Sequence, residues 1–208
     1  GHAPQPGFFI NFTPSNTPDR MAYTAPIDEK KLVADLQNEA TAYAAFDTLM
    51  RTYGEQMYWQ IRKMVVNHDD ANDLLQNAFI KVWNNIASFR GEAKLSTWLY
   101  KIAVNECINF LNKERQRNTI SGDTEDESFL LQNIEADPYF DGDEVTLVLQ
   151  RAVATLPEKQ RLVFTMRYFD EMKYEKMSEI LGTSVGALKA SYHHAVKKVE
   201  QALTRAEI

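Results

Sequence analysis

Five side chains at helical spacing carry the strongest chemical signal in the chain. Trp98, Lys101, Asn105, Asn109 and Asn112 follow one another at intervals of three, four, four and three residues. Such intervals place all five on one face of a helix. Amides donate and accept toward base edges, a lysine meets phosphate, and an indole stacks on an unpaired base. The face therefore fits nucleic acid; a partner helix or plain solvent fits the pattern equally well, although a solvated face more often uses Glu and Lys. Other reactive residue types lead nowhere. His193 and His194 are adjacent, so on a helix they diverge by about 100° and do not chelate one ion. Cys107 is the single cysteine and falls on an apolar stripe, which predicts a core residue and excludes a disulfide scaffold or cysteine-based zinc site. Carboxylates are abundant, but none sits in a catalytic motif. No enzyme activity, metal or cofactor is expected.

The elements that must position these residues are helical. Ala71, Leu74, Leu75, Ala78, Phe79, Val82 and Trp83 make one apolar stripe of period about 3.6, with Asp70, Asp73, Gln76, Asn77 and Lys81 opposite. Phe89-Arg90-Gly91 is a turn signal, Ser96 stands where an N-cap belongs, and a helix is predicted from Thr97 to about Arg115. Its apolar stripe is Tyr100, Ala103, Val104, Cys107, Ile108 and Leu111. Leu156-Pro157-Glu158 reads as a helix start, and Leu162, Val163, Met166 and Phe169 continue one amphipathic face. A short helix over Tyr174 to Leu181, the turn Gly182-Thr183-Ser184, and a helix from Val185 to about Leu203 then make a helix-turn-helix pattern, shared with ordinary helical hairpins. In the first of these readings the second helix enters the major groove. The fold class expected is all-α, with two small domains.

With 208 residues, 44% of them hydrophobic and 25% charged, the chain falls within the soluble globular range. The net charge of −6 hides a division: residues 42–117 sum to +2, residues 118–144 to −9 with no Lys or Arg, and residues 145–205 to +4. A weakly basic block binds DNA poorly alone, because affinity follows the number of phosphates neutralised. Any work on DNA thus calls for a partner that holds the chain there. Five of seven prolines lie in the first 26 residues, so 1–27 is read as a disordered lead-in, with Gly1-His2 an expression remnant. Domains are expected over 28–117 and 145–208, joined by an acidic linker over 118–144. No apolar run nears the roughly 18–20 residues that span a bilayer, and no leader is evident, so the expected location is cytoplasmic.

Residues Asp70 to Trp83 resemble the core-polymerase-binding helix of bacterial sigma factors. Phe89-Arg90-Gly91-Glu92-Ala93 with Ser96 to Asn105 resembles their promoter-melting segment, and Leu156 to Leu203 their C-terminal helix-turn-helix domain. Two such blocks without a middle domain are similar to the extracytoplasmic-function (ECF) sigma factors, over roughly residues 28–205. The resemblance implies that Asp70, Asp73, Gln76, Asn77 and Ile80 face core RNA polymerase, an acidic polar stripe suited to a basic helical partner. It implies that Arg90, Lys94, Trp98, Lys101, Asn105 and Asn109 contact the −10 element and hold a flipped base. Ser184, Gly186, Lys189, Ala190, His193, His194 and Lys197 are then the −35 contacts. Partners implied are core RNA polymerase, promoter DNA and an anti-sigma factor. The chain departs from the family pattern at Asn77, where the family has Glu, and at Ser191 and His194, where it has Arg. Those losses predict weaker −35 binding without polymerase, and the two histidines a mild rise in affinity below pH ~6.5. A sigma-like decoy that sequesters an anti-sigma factor is the alternative.

Overall fold

Asp28 starts the first helix by local chemistry: its Oδ1 accepts the backbone N–H groups of Lys30 and Lys31 at 3.0 and 3.1 Å, two donors that a helix start otherwise leaves unmet. A computed structural model describes residues 27–121 and 144–205, and every regular element among them is helical. The chain divides into two compact units, Gly1–Phe110 and Leu111–Ile208. The expected lead-in, apart from Ile27, and residues 122–143 of the expected acidic linker lie outside the described residues.

In the first unit, α1 (Glu29–Leu36) buries Leu32 and Leu36 and packs on α2 (Ala42–Val65). Helix α2 buries Ala45, Phe46, Leu49, Met57, Tyr58 and Ile61 at turn-by-turn spacing. It ends at Val66, whose φ of +67° is a strained conformation for a β-branched residue. Asn67 then caps α3 (His68–Asn85): its Oδ1 accepts from Asp69 and Asp70 N–H at 2.8 and 3.2 Å. Asp69 and Asp70 in the first turn complement the positive end of the helix dipole. The stripe Ala71, Leu74, Leu75, Ala78, Phe79 and Val82 is buried as its period predicts, each larger member contributing about 1.5–3 kcal/mol. Trp83 is only partly buried, its ring 5.0 Å from Phe46 and 5.1 Å from Tyr43.

A 3-10 turn, Ile86–Ser88, leads to an irregular stretch and then to α4 (Leu95–Ser121). Two expectations are corrected here. The helix begins at Leu95 and places Ser96 inside its first turn, because the cap is tertiary: Glu29 of α1 accepts the Leu95 N–H at 3.4 Å, and the Leu95 side chain is buried. It also runs six residues past Arg115, since no glycine or proline interrupts the sequence before Gly122.

The second unit contains α5 (Glu144–Ala154), α6 (Glu158–Phe164), α7 (Tyr174–Leu181) and α8 (Val185–Arg205). Pro157 occupies the N-cap of α6 at φ −51°, a position needing no amide hydrogen. Buried Arg161 donates from Nη1 to Ala154 O at 2.9 Å, satisfying a carbonyl at the end of α5. The amphipathic run through Phe169 is not one α-helix, as the periodicity implied. Thr165–Phe169 is a π turn, closed by Asp170 N–H on Thr165 O at 3.2 Å. Its extra residue per turn keeps Met166 wholly buried while Tyr168 stacks on Phe164 at 5.0 Å. The core of this unit is Ala152, Val153, Leu156, Phe164, Ala195 and Val199. Gly182 ends α7 in the left-handed region at φ +62°, donating its N–H to Ser178 O. Ser184 Oγ accepts from Ala187 N–H at 3.3 Å at the start of α8.

Candidate nucleic-acid and polymerase interfaces

The amide row of α4 is a solvent face. Lys101, Asn105, Asn109 and Asn112 are exposed, while Tyr100, Ala103, Val104, Cys107 and Leu111 behind them are buried. From Trp98 to Asn109 the row covers about 16 Å of helix axis, the length of about five stacked nucleotides. Trp98 does not stand free: it is half-buried with its ring 5.1 Å from Phe89. Arg90, Gly91, Glu92, Ala93 and Lys94 are all exposed. Gly91 has φ +72° and open space around the place of a Cβ, so glycine is required there by backbone conformation rather than by crowding.

Behind the row lies a residue whose role the sequence reading missed. Glu106 is buried and pairs with Lys81 of α3. A signal existed: its helical neighbours at three and four residues are Ile102, Ala103, Asn109 and Phe110, none of them basic. An acid on a core-facing flank with no local base calls for a tertiary partner. Cys107 is wholly buried, and burial, then the charge of Glu106, pushes its thiol up to about 12; it is an inert core residue.

On α3, Asp73, Asn77 and Ile80 are exposed and Asp70 and Gln76 half-buried. Ile80 is 46% exposed, an apolar side chain amid acids and amides. Tyr43 of α2, 49% exposed and packed on Trp83, adds an aromatic surface in the same unit that periodicity alone did not single out. An apolar anchor ringed by polar groups is the composition of a protein-binding patch.

In the second unit, Ser184, Gly186, Lys189, Ala190, His193, His194 and Lys197 are all exposed along α8, with Leu188, Ala195 and Val199 inward. Gly186, Ala187 and Ala190 keep the helix surface low at its N-terminal half. The His193 and His194 rings are 6.0 Å apart and tilted, and among the described residues no group of three or more His, Cys, Asp or Glu could hold a metal ion. Tyr174, at the start of α7, carries two cations: Lys189 Nζ lies 5.7 Å and Arg167 Cζ 5.3 Å from its ring centre. Arg167 also donates to Met172 O at 3.2 Å. Burial, then Tyr174, raises the Tyr192 hydroxyl.

The first helical unit thus presents an exposed amide face, and the second a helix-turn-helix with an exposed outer helix face. The family model for Sigma-70 region 2 matches residues 49–117, and that for Sigma-70, region 4 matches residues 146–206. The chain is 31% identical over 166 residues to the RNA polymerase sigma-H factor of Pseudomonas aeruginosa, covering 76% of this chain and 86% of that protein. It is 30% identical over 166 residues to the ECF RNA polymerase sigma factor SigW of Bacillus subtilis, covering 76% and 89%. Among solved structures it is similar to the sigma factor RpoE in complex with the anti-sigma factor NepR from Bartonella quintana, with TM-score 0.57, 21% identity and coverage of 76% and 96%. It is similar also to CnrH in complex with the cytosolic domain of CnrY, with TM-score 0.57, 18% identity and coverage of 85% and 97%. The chain belongs to the ECF sigma factors. It is therefore a DNA-binding transcription factor that works with RNA polymerase, and not an enzyme itself. No helix among the described residues is long and apolar enough to cross a membrane.

Proposed function

We propose that this chain binds core RNA polymerase through the outer face of α3, directs it to promoters through −10 and −35 elements, and melts the former. The observation that carries the reading is the exposed row Lys101, Asn105 and Asn109 on α4 beside the exposed loop 90–94. The row supplies edge-reading amides and a phosphate contact, and the loop lies next to its first turn. A flipped base costs a few kcal/mol, which stacking and edge hydrogen bonds in a pocket must offset. Arg90, Lys94 and Trp98 complete the −10 contacts. Asp70, Asp73, Gln76, Asn77 and Ile80 take the polymerase. The second unit reads −35 through Ser184, Gly186, Lys189, Ala190, His193, His194 and Lys197. The functional limits are 28–117 for the first domain, 118–144 for the acidic linker and 145–208 for the second. A cytoplasmic site of action follows from the polymerase as partner. One structural neighbour is a sigma factor in complex with an anti-sigma factor, which supports regulation of this chain by such a protein.

The test is run-off transcription with purified core polymerase on upstream fragments of the source genome. Transcripts that appear only with this chain support the reading, and Asp73→Ala/Gln76→Ala should abolish them together with core binding. Failure of the unaltered chain to bind core overturns it in favour of the decoy, a reading that the loss of two arginines at Ser191 and His194 favours.

A further inference from the structure

Helix α1 lies outside the segment matched to region 2, which begins at residue 49, yet it touches both ends of the exposed loop. Gln37, immediately after its last turn, donates from Nε2 to Ile86 O and Phe89 O, each at 2.9 Å. Those two carbonyls bracket the 3-10 turn from which the loop departs. Glu29, its first residue, accepts from Leu95 N–H at 3.4 Å through one carboxylate oxygen and from Tyr53 O–H at 3.2 Å through the other. Leu95 begins α4, and its N–H has no partner within its own helix. The two anchors are eight residues apart, about 12 Å along a helix. Buried Leu32 and Leu36 lock the rod between them against α2. Residues 90–94 are exposed between these anchors, with Gly91 at positive φ.

We propose that α1 is a strut for this loop: Gln37 and Glu29 are positioning residues that fix its two ends and thereby the base selected at −10. The inference rests on the proposed role of the loop and names the elements that hold its shape. Without the Gln37 donors, two carbonyls lose their partner and the loop's first anchor opens. Loop conformers then multiply, and the pocket that discriminates between bases loosens while the polymerase-binding face of α3 stays as it was.

The experiment uses the full chain with Gln37→Met, which keeps length but removes both donors, and Gln37→Lys, which restores a donor of similar reach. Gln37 is exposed, so both variants should keep the wild-type circular dichroism. In the first arm, without DNA or polymerase, limited trypsin digestion is followed by mass spectrometry. Gln37→Met should be cut after Arg90 and Lys94 about fivefold faster than wild type and Gln37→Lys at nearly the wild-type rate, with cutting after Lys197 unchanged. Equal rates at Arg90 and Lys94 in wild type and Gln37→Met overturn the strut. In the second arm, run-off transcription is measured on promoters permuted at each −10 position. Gln37→Met should lower discrimination between the best and the other bases about fivefold, at unchanged core affinity. Undiminished discrimination overturns the link to base choice. A wild-type chain that directs no transcription overturns the proposed function of the loop and that link with it; the trypsin rates still decide the strut.

Discussion

Removing Lys81 should destabilise the first unit more than removing its partner Glu106. The Glu106 side chain is 10% exposed and the Lys81 side chain 50%. Deleting the lysine strands a carboxylate with little access to water, which costs about 1–3 kcal/mol, or more where the stranded group stays charged. Deleting the acid leaves a lysine whose half-exposed ammonium swings into solvent, so Glu106→Leu should cost less than about 1 kcal/mol. Replacing both by apolar groups, Lys81→Met with Glu106→Leu, should fall near wild type, since neither desolvated charge remains. The assay is urea unfolding followed by tryptophan fluorescence. Trp59, Trp83 and Trp98 are the only tryptophans and all lie in the first unit, so the signal reports that unit within the intact chain. Linear extrapolation gives each difference, and the three variants with wild type close a double-mutant cycle. If Lys81→Met matches wild type within about 0.5 kcal/mol, or Glu106→Leu costs as much as Lys81→Met, the penalty does not reside in the buried carboxylate and the reasoning fails.

Gly182→Ala should destabilise the second unit by about 1 kcal/mol, because a Cβ at φ +62° is strained although nothing stands in its way; the tryptophan transition should not move, while circular dichroism at 222 nm should shift. Cys107 should react with a maleimide only as fast as the first unit opens. Its folded thiol keeps its proton to about pH 12 against an ordinary value of 9.0, so the unfolded state sheds its proton first and stability falls as pH rises through that window. Cys107→Ala should flatten this fall in urea midpoints measured from pH 9 upward. Tyr174→Leu removes the ring beneath Lys189 and Arg167; at about 0.5–1 kcal/mol for an exposed cation–π contact, affinity of holoenzyme for a −35 fragment should drop about two- to fivefold by fluorescence anisotropy. An unchanged affinity would show that the ring does not position Lys189.

Helix identity and the inward and outward faces were legible in residue order, because burial of one face imposes a period that survives in composition. The stripes of α3 and α8 and the outward row from Lys101 to Asn112 could be read that way, and the turn at Gly182 from its residue type. What escaped is long-range. The start of α4 depends on Glu29, 66 residues earlier, and no local pattern encodes a cap delivered by another helix. The π turn at Thr165–Phe169 departs from the 3.6 period by a single residue, too small a change for an apolar count to register. The anchors of the 90–94 loop are Glu29 at the start of α1 and Gln37 just after its end, and nothing in that local sequence points to the loop. Local sequence decides which side of a helix meets water, since that preference belongs to each side chain. Which distant donor meets which carbonyl is decided by packing alone, because one hydrogen bond contributes too little to leave a pattern in the chain.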